Sequence, residues 1–135
     1  MKRESDEEAV AGSGQTVLLV DDDAGVLGTV AEVLKTLGYL VIEASNGAIA
    51  LDCYREHQDE ISIVLTDMVM PVMGGVELVQ QIRQADSDLP VIMMTGYDFS
   101  SCGEEVERFE HFALLNKPVA IYELSRLMDQ MLESS

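Results

Sequence analysis

Tryptophan is absent from this 135-residue chain, prolines number three and cysteines two, and only 8 Lys and Arg stand against 25 Asp and Glu. Each shortage excludes something. Cys53 and Cys102 make neither a disulfide framework nor a zinc site of paired spacing, so the fold rests on its apolar core. A formal net charge of −17 leaves no clustered Lys and Arg for phosphate backbones, which argues against direct nucleic-acid binding. The longest apolar runs, such as Val17-Leu18-Leu19-Val20 and Val91-Ile92-Met93-Met94, are far too short to span a bilayer. No membrane contact is expected. No Arg-flanked apolar leader opens the chain, and no Gly-rich nucleotide loop of the dinucleotide or Walker type is present. The expectation is one acidic, cytoplasmic globular domain with 47% hydrophobic residues to build its core.

Residues 1–15 are polar and acidic and close with Gly12-Ser13-Gly14, so they read as a disordered linker or arm that buries too little apolar surface to order itself. The domain is expected over 16–133. From Thr16 onward, strand-like and helix-like patterns alternate. Thr16–Val20 is a continuous apolar run, which suits a strand buried on both faces of a parallel sheet, and it ends in Asp21-Asp22-Asp23. Val26, Leu27, Val30, Val33, Leu34 and Leu37 then recur at helical spacing, and Gly38 stops that helix. Tyr39–Ala44 reads as the second strand, Asn46-Gly47 as a turn, and Ala48–Glu56 as a short helix. Ile61–Thr66 is the third strand, ending at Asp67.

The loop Met68-Val69-Met70-Pro71-Val72-Met73-Gly74-Gly75 leads to a helix with Val76, Val79 and Ile82 on its apolar face and Leu78 beside it. Pro90–Met94 is the fourth strand, ending at Thr95-Gly96. Tyr97–Phe112 is a weakly patterned helix, Ala113–Leu115 a fifth strand ending at Asn116-Lys117-Pro118. Ile121, Leu124, Leu127, Met128, Met131 and Leu132 mark a last amphipathic helix. Five strand-then-helix units imply an α/β fold, a single doubly wound five-stranded parallel sheet with helices on both faces.

In such sheets ligands sit beyond the carboxyl ends of the strands. Asp21-Asp22-Asp23, Asp67, Thr95 and Lys117 stand at four of those ends. Alone, the acidic run reads as a solvated loop with Asp23 capping the next helix, and Asp67 as a turn residue. Together they mean more. Carboxylates ~4 Å apart repel by roughly 4 kcal/mol per pair at an effective dielectric near 20, and a hard cation such as Mg²⁺ relieves that. A lysine and a hydroxyl nearby supply phosphoryl-oxygen contacts, so the set suits phosphoryl transfer onto a carboxylate. Asp67 fits the nucleophile, Asp21 and Asp22 the metal ligands, with the Val69 backbone carbonyl completing the shell.

The runs Leu18-Leu19-Val20-Asp21-Asp22-Asp23 and Leu65-Thr66-Asp67-Met68-Val69-Met70-Pro71-Val72-Met73-Gly74-Gly75, then Met94-Thr95-Gly96 and Leu115-Asn116-Lys117-Pro118, resemble the receiver domain of two-component response regulators. The resemblance runs from about Thr16 to Leu132. It implies a flavodoxin-like strand order 2-1-3-4-5, Asp67 as phosphoacceptor, and Asp22 and Asp67 as direct ligands of Mg²⁺ (or Mn²⁺) beside Asp21. It further implies Thr95 as the switch hydroxyl, Lys117 as the phosphate contact and a cis peptide before Pro118. The partner it implies is a histidine kinase or a histidine phosphotransfer domain, with no enzymatic activity beyond self-phosphorylation and self-dephosphorylation.

Tyr97 after Thr95-Gly96, and the Gly-Ser-Gly arm, look similar to receivers of hybrid sensor histidine kinases. A stand-alone regulator is the alternative. One position departs from the family: Leu114 stands where receivers carry a switch aromatic, with Phe112 two residues earlier as a candidate substitute. Val69, two residues past the acceptor, has no side-chain donor to align water, which implies a long phosphorylated lifetime. Of other classes, Asp21-x-Asp23 mimics the nucleophile motif of a haloacid-dehalogenase-like phosphatase, and a flavin binder shares the fold. His57 and His111 lack ligand-like spacing and read as surface residues. Glu104, Glu105, Glu107 and Glu110 read as one solvated helix face.

Overall fold

The computed structural model describes residues 12–96 and 111–133. Within them run β1 (Thr16–Val20), α1 (Ala24–Thr36), β2 (Leu40–Ala44), α2 (Gly47–Glu56), β3 (Ile61–Asp67), α3 (Gly75–Ala85), β4 (Val91–Thr95), β5 (Phe112–Asn116) and α4 (Ile121–Glu133). The strands form one sheet in the order β2-β1-β3-β4-β5, and every adjacent pair is parallel. The expected helix over Tyr97–Phe112, with Cys102 and the four glutamates, falls almost wholly outside the described residues. Its last two residues do not: His111 lies just ahead of β5, and Phe112 opens that strand because it pairs with Val91 of β4.

Strand alternation divides the core in two. Leu18, Val20, Val64, Val91 and Met93 face one side, where Ala50, Leu51 and Tyr54 of α2 and Leu78, Val79 and Ile82 of α3 cover them. Val17, Leu19, Ile63, Leu65, Ile92 and Met94 face the other, under Ala31 and Leu34 of α1 and Leu124 and Met128 of α4. Each fully buried aliphatic side chain stabilises the fold by about 1.5–3 kcal/mol before entropy is counted. Leu78, expected beside the apolar face of its helix, is completely buried, and Val76 is only partly so. The phase of α3 is thus turned toward Leu78, because α3 covers β3 and β4 from a position also packed by α2.

Local chemistry sets the ends of the elements. Asp23 caps α1, its Oδ1 accepting from the amides of Gly25 (2.9 Å) and Val26 (3.2 Å), which satisfies two of the free N–H groups at a helix start. Asn46-Gly47 is not a free turn: Asn46 Oδ1 accepts from the Ile49 amide at 2.9 Å and opens α2. Gly38 sits at φ +102 after α1, and Tyr39, expected in β2, instead folds inward at 3% exposure. Residues 12–15, grouped with the arm by composition, lie along this corner. The Gly12 amide donates to Leu37 O at 2.6 Å and the Gly14 amide to Gly38 O at 2.9 Å. Residues 1–11 are outside the described residues.

The loop after β3 carries one strained residue. Val72 has φ 70 and is 81% exposed, so a β-branched side chain occupies the left-handed region with no packing to compensate. That conformation costs an L residue about 1–2 kcal/mol, and asparagine tolerates it better. Val72→Asn is therefore expected to stabilise the protein by about 1 kcal/mol, seen as a higher urea midpoint at an unchanged slope. An unchanged or lower midpoint would contradict the strain.

Candidate functional site

Strand register brings the candidate residues together. Val20 is level with Thr66 and Ala44, Asp67 with Met94, and Thr95 with Asn116. One step past Val20, Asp21 therefore lies beside Asp67, and one step past Asn116 lies Lys117, whose amide donates to Thr95 O at 2.9 Å. Asp21, Asp22 and Asp67 each offer a carboxylate oxygen within 4.8 Å of the others. Asp21 is wholly buried, Asp67 8% exposed and Thr95 1% exposed, while Asp22 faces solvent. The Lys117 ammonium reaches between the two buried acids, 3.2 Å from Asp21 Oδ2 and 3.3 Å from Asp67 Oδ1. The Lys117–Pro118 peptide is cis.

Each carboxylate is held by the backbone as well. Asp21 Oδ1 accepts from the Asp23 amide at 2.9 Å, so the acidic run folds back on itself at the strand end. Asp67 Oδ1 accepts from the Met68 amide at 2.9 Å. Asp21 Oδ2 is buried and takes no hydrogen bond of good geometry, although the ammonium stands 3.2 Å away. A buried carboxylate oxygen satisfied only by a shared charge is a costly arrangement. Hard oxygen donors, an unsatisfied lone pair and clustered negative charge together fit a hard divalent cation.

Electrostatics express the same imbalance. Burial, and then the Asp21 charge, push the Asp67 carboxyl above the ordinary carboxylate range, and Lys117 offsets only part of that. Burial opposes the Lys117 charge, but Asp67 and Asp21 outweigh it and hold the ammonium above its usual value. Burial thus sets the direction at Asp67, and the two carboxylates set it at Lys117.

Other predicted positions fall where the strands put them. Val69 stands two residues past Asp67 and is 54% exposed. Leu114 lies half-buried in β5 opposite Met93, packed against the α2–α3 side of the core. Phe112 shares that side but pairs with Val91, four residues before the Thr95–Asn116 level, or about 13 Å along the strand. It does not take the place beside Thr95 that Leu114 leaves without an aromatic. His57 pairs with Glu60 at 3.3 Å and His111 with Asp88 at 3.6 Å, both remote from the acids in the fold. Cys53 is half-buried, with its thiol pushed up by burial and by Glu56 and Asp52.

Two contributors were not picked out from the residue pattern. Gly75 sits where any Cβ would collide with the Asp67 carbonyl oxygen, so a side chain there would displace the acid. Thr66, fully buried, donates from Oγ1 to that same oxygen at 2.9 Å. The available signal was a hydroxyl placed directly between the apolar run Ile63-Val64-Leu65 and Asp67.

A family model described as the response regulator receiver domain matches residues 17–129. The chain belongs to that family. This receiver is 34% identical over 124 residues to the sensor kinase CckA of Brucella abortus, covering 92% of the chain but only 13% of that protein. It is 30% identical to the response regulator receiver protein CpdR of the same organism, covering 86% of the chain and 95% of CpdR. A crystal structure of a receiver domain protein from Clostridium thermocellum superposes with a TM-score of 0.84 at 26% identity, over 89% of this chain and 95% of that one. Among the described residues no helix is long and apolar enough to cross a membrane.

The raised Asp67 carboxyl makes a prediction for the metal-free protein. A folded value above the unfolded one means that stability is full below pH 3.8, the ordinary value, and is lost as pH climbs through the raised value. Ionised Asp67 is then a net cost at neutral pH. Asp67→Asn is expected to raise the melting temperature at pH 7 by roughly 3 °C, with the gain shrinking as pH falls toward 4. A variant that melts lower than wild type at pH 7 in chelator would contradict this.

Proposed function

We propose that this receiver takes a phosphoryl group onto Asp67 from a phosphohistidine, in a reaction dependent on Mg²⁺ or Mn²⁺, and changes conformation in response. The observation that carries the reading is the Lys117 ammonium set between two buried carboxylates within a three-acid cluster. Such a cup holds net negative charge in the resting state, yet has a fixed cation ready for phosphoryl oxygens.

In this reading Asp67 Oδ1 is occupied by Met68 N–H and Lys117, and Oδ2 is the oxygen that attacks phosphorus. The P–N bond of the donor breaks with its electron pair going to the imidazole nitrogen, and the imidazole leaves neutral because its other ring nitrogen already carries a proton. Lys117 stays within reach of the phosphoryl oxygens as a point charge, and the Thr95 hydroxyl donates to another of them. Asp22, Asp67 and the Val69 carbonyl would hold the cation, with Asp21 beside it. When bound, the ion neutralises charge on the transferring group. A receiver of known structure, TrrA from Thermotoga maritima, carries Mg²⁺ and beryllofluoride, which supports the assignment by analogy of fold.

A donor large enough to need docking has a surface to meet. A groove of about 700 Å³ runs from Lys117 along α1, between Val26 and Val30 on one side and Pro118 and Val119 on the other. Its apolar walls suit the helix of a histidine kinase or phosphotransfer domain that carries the phosphohistidine. The similarity to CckA supports a hybrid-kinase receiver, and the near-complete match to CpdR supports a stand-alone regulator. In either setting the chain's own catalysis is limited to its phosphorylation and dephosphorylation. The phosphatase alternative loses support because Asp23, its second acid, is committed to capping α1.

Mass spectrometry after incubation with acetyl phosphate and Mg²⁺ tests the proposal. Wild type is expected to gain one labile phosphoryl group and Asp67→Asn none; equal labelling would refute Asp67 as acceptor. Lifetime gives a second test. Exposed, donor-free Val69 aligns no attacking water, so Val69→Asn is expected to shorten the phosphorylated half-life several-fold. Equal half-lives in the two proteins would contradict it.

A further inference from the structure

The peptide unit joining Asp67 to Met68 is bonded at both ends. Its N–H, on Met68, donates to Asp67 Oδ1 and to Met94 O, each at 2.9 Å. Its C=O, on Asp67, accepts from Thr66 Oγ1 at 2.9 Å and abuts the space that Gly75 leaves empty. Because a peptide unit is planar and stiff, fixing the carbonyl end fixes the direction of the N–H end. The direction of that N–H decides which carboxylate oxygen of Asp67 is tied and which is left open.

Thr66 is otherwise out of place. It is wholly buried between Val20 and Met93 in the register, facing the apolar cluster of α2 and α3. A valine would fill that space, and the hydroxyl's hydrogen bond goes to the neighbouring carbonyl rather than to a cross-strand partner.

We infer that Thr66 is a positioning residue for phosphorylation. Its hydroxyl locks the 67–68 peptide plane, so that Met68 N–H holds Oδ1 of Asp67 and Oδ2 is presented to the incoming phosphorus. The inference rests on Asp67 being the acceptor.

Two substitutions separate this role from packing. Thr66→Val keeps the shape and removes the hydroxyl; Thr66→Ser keeps the hydroxyl and removes a methyl from the core. Without metal, hydrogen exchange of the Met68 amide followed by NMR is expected to quicken about five-fold in Thr66→Val, the loss of about one hydrogen bond's net worth. With Mg²⁺, beryllofluoride affinity is expected to weaken about three- to ten-fold in the same variant. Thr66→Ser is expected to match wild type in both measurements while melting lower, because the lost methyl leaves a small void. Thr66→Val with wild-type exchange and affinity overturns the inference, and so does Thr66→Ser impaired as much as Thr66→Val. A wild type that takes up neither beryllofluoride nor a phosphoryl group overturns the acceptor role of Asp67 and the brace with it.

Discussion

A single ammonium stands between two carboxylates that the fold has removed from water, and much of the molecule serves to keep it there. Lys117 reaches Asp21 and Asp67 at 3.2 and 3.3 Å, but one positive charge cannot neutralise two buried acids and the exposed Asp22 beside them. Burial of an ion pair is seldom a source of net stability. Burial first, and the Asp21 charge second, displace the Asp67 carboxyl upward, and Lys117 offsets only part of that. In the proposed function, a cation would add the missing positive charge and a phosphoryl group would engage the ammonium.

The parallel sheet makes the deficit structurally possible. Val17–Val20, Ile63–Leu65 and Val91–Met94 are buried on both faces, so the three central strands are anchored along their length and their ends are fixed in space. Asp21, Asp67 and Thr95 inherit that rigidity directly from the strands. Lys117 follows β5 through the bond from its amide to Thr95 O. The loop after β3 is less regular, with Val72 at positive φ, yet it is tied back where it matters. Gly75 N donates to Met68 O at 2.8 Å and Gly47 N to Met73 O at 3.1 Å. Rigid strand ends hold the charges, and a braced loop surrounds them.

Much of this was legible in the residues because strand and helix periods differ and because charged residues end apolar runs abruptly. The placing of Asp21, Asp22, Asp67, Thr95 and Lys117 at one edge of a parallel sheet follows from four such endings, whereas the strand order came from the resemblance to receiver domains. What escaped depends on contacts the pattern does not encode. Leu78 took the centre of its helix's buried face because the roll of α3 is set by α2 and the sheet together. Asn46-Gly47 has turn composition, but the cap bond to Ile49 makes it a helix start. Phe112 joins β5 through its pairing with Val91, which lies far off in sequence. The bond from Thr66 to the next carbonyl is a matter of side-chain rotamer, invisible in a run of β-formers.

The most direct test of the account is a crystal structure of the protein grown with Mg²⁺ and beryllofluoride. The account predicts the beryllium bonded to Oδ2 of Asp67, Lys117 and Thr95 in contact with the fluorides, and the metal held by Asp22, Asp67 and the Val69 carbonyl. A structure in which beryllium bonds another carboxylate, or in which Lys117 remains between Asp21 and Asp67 without touching a fluoride, would contradict it.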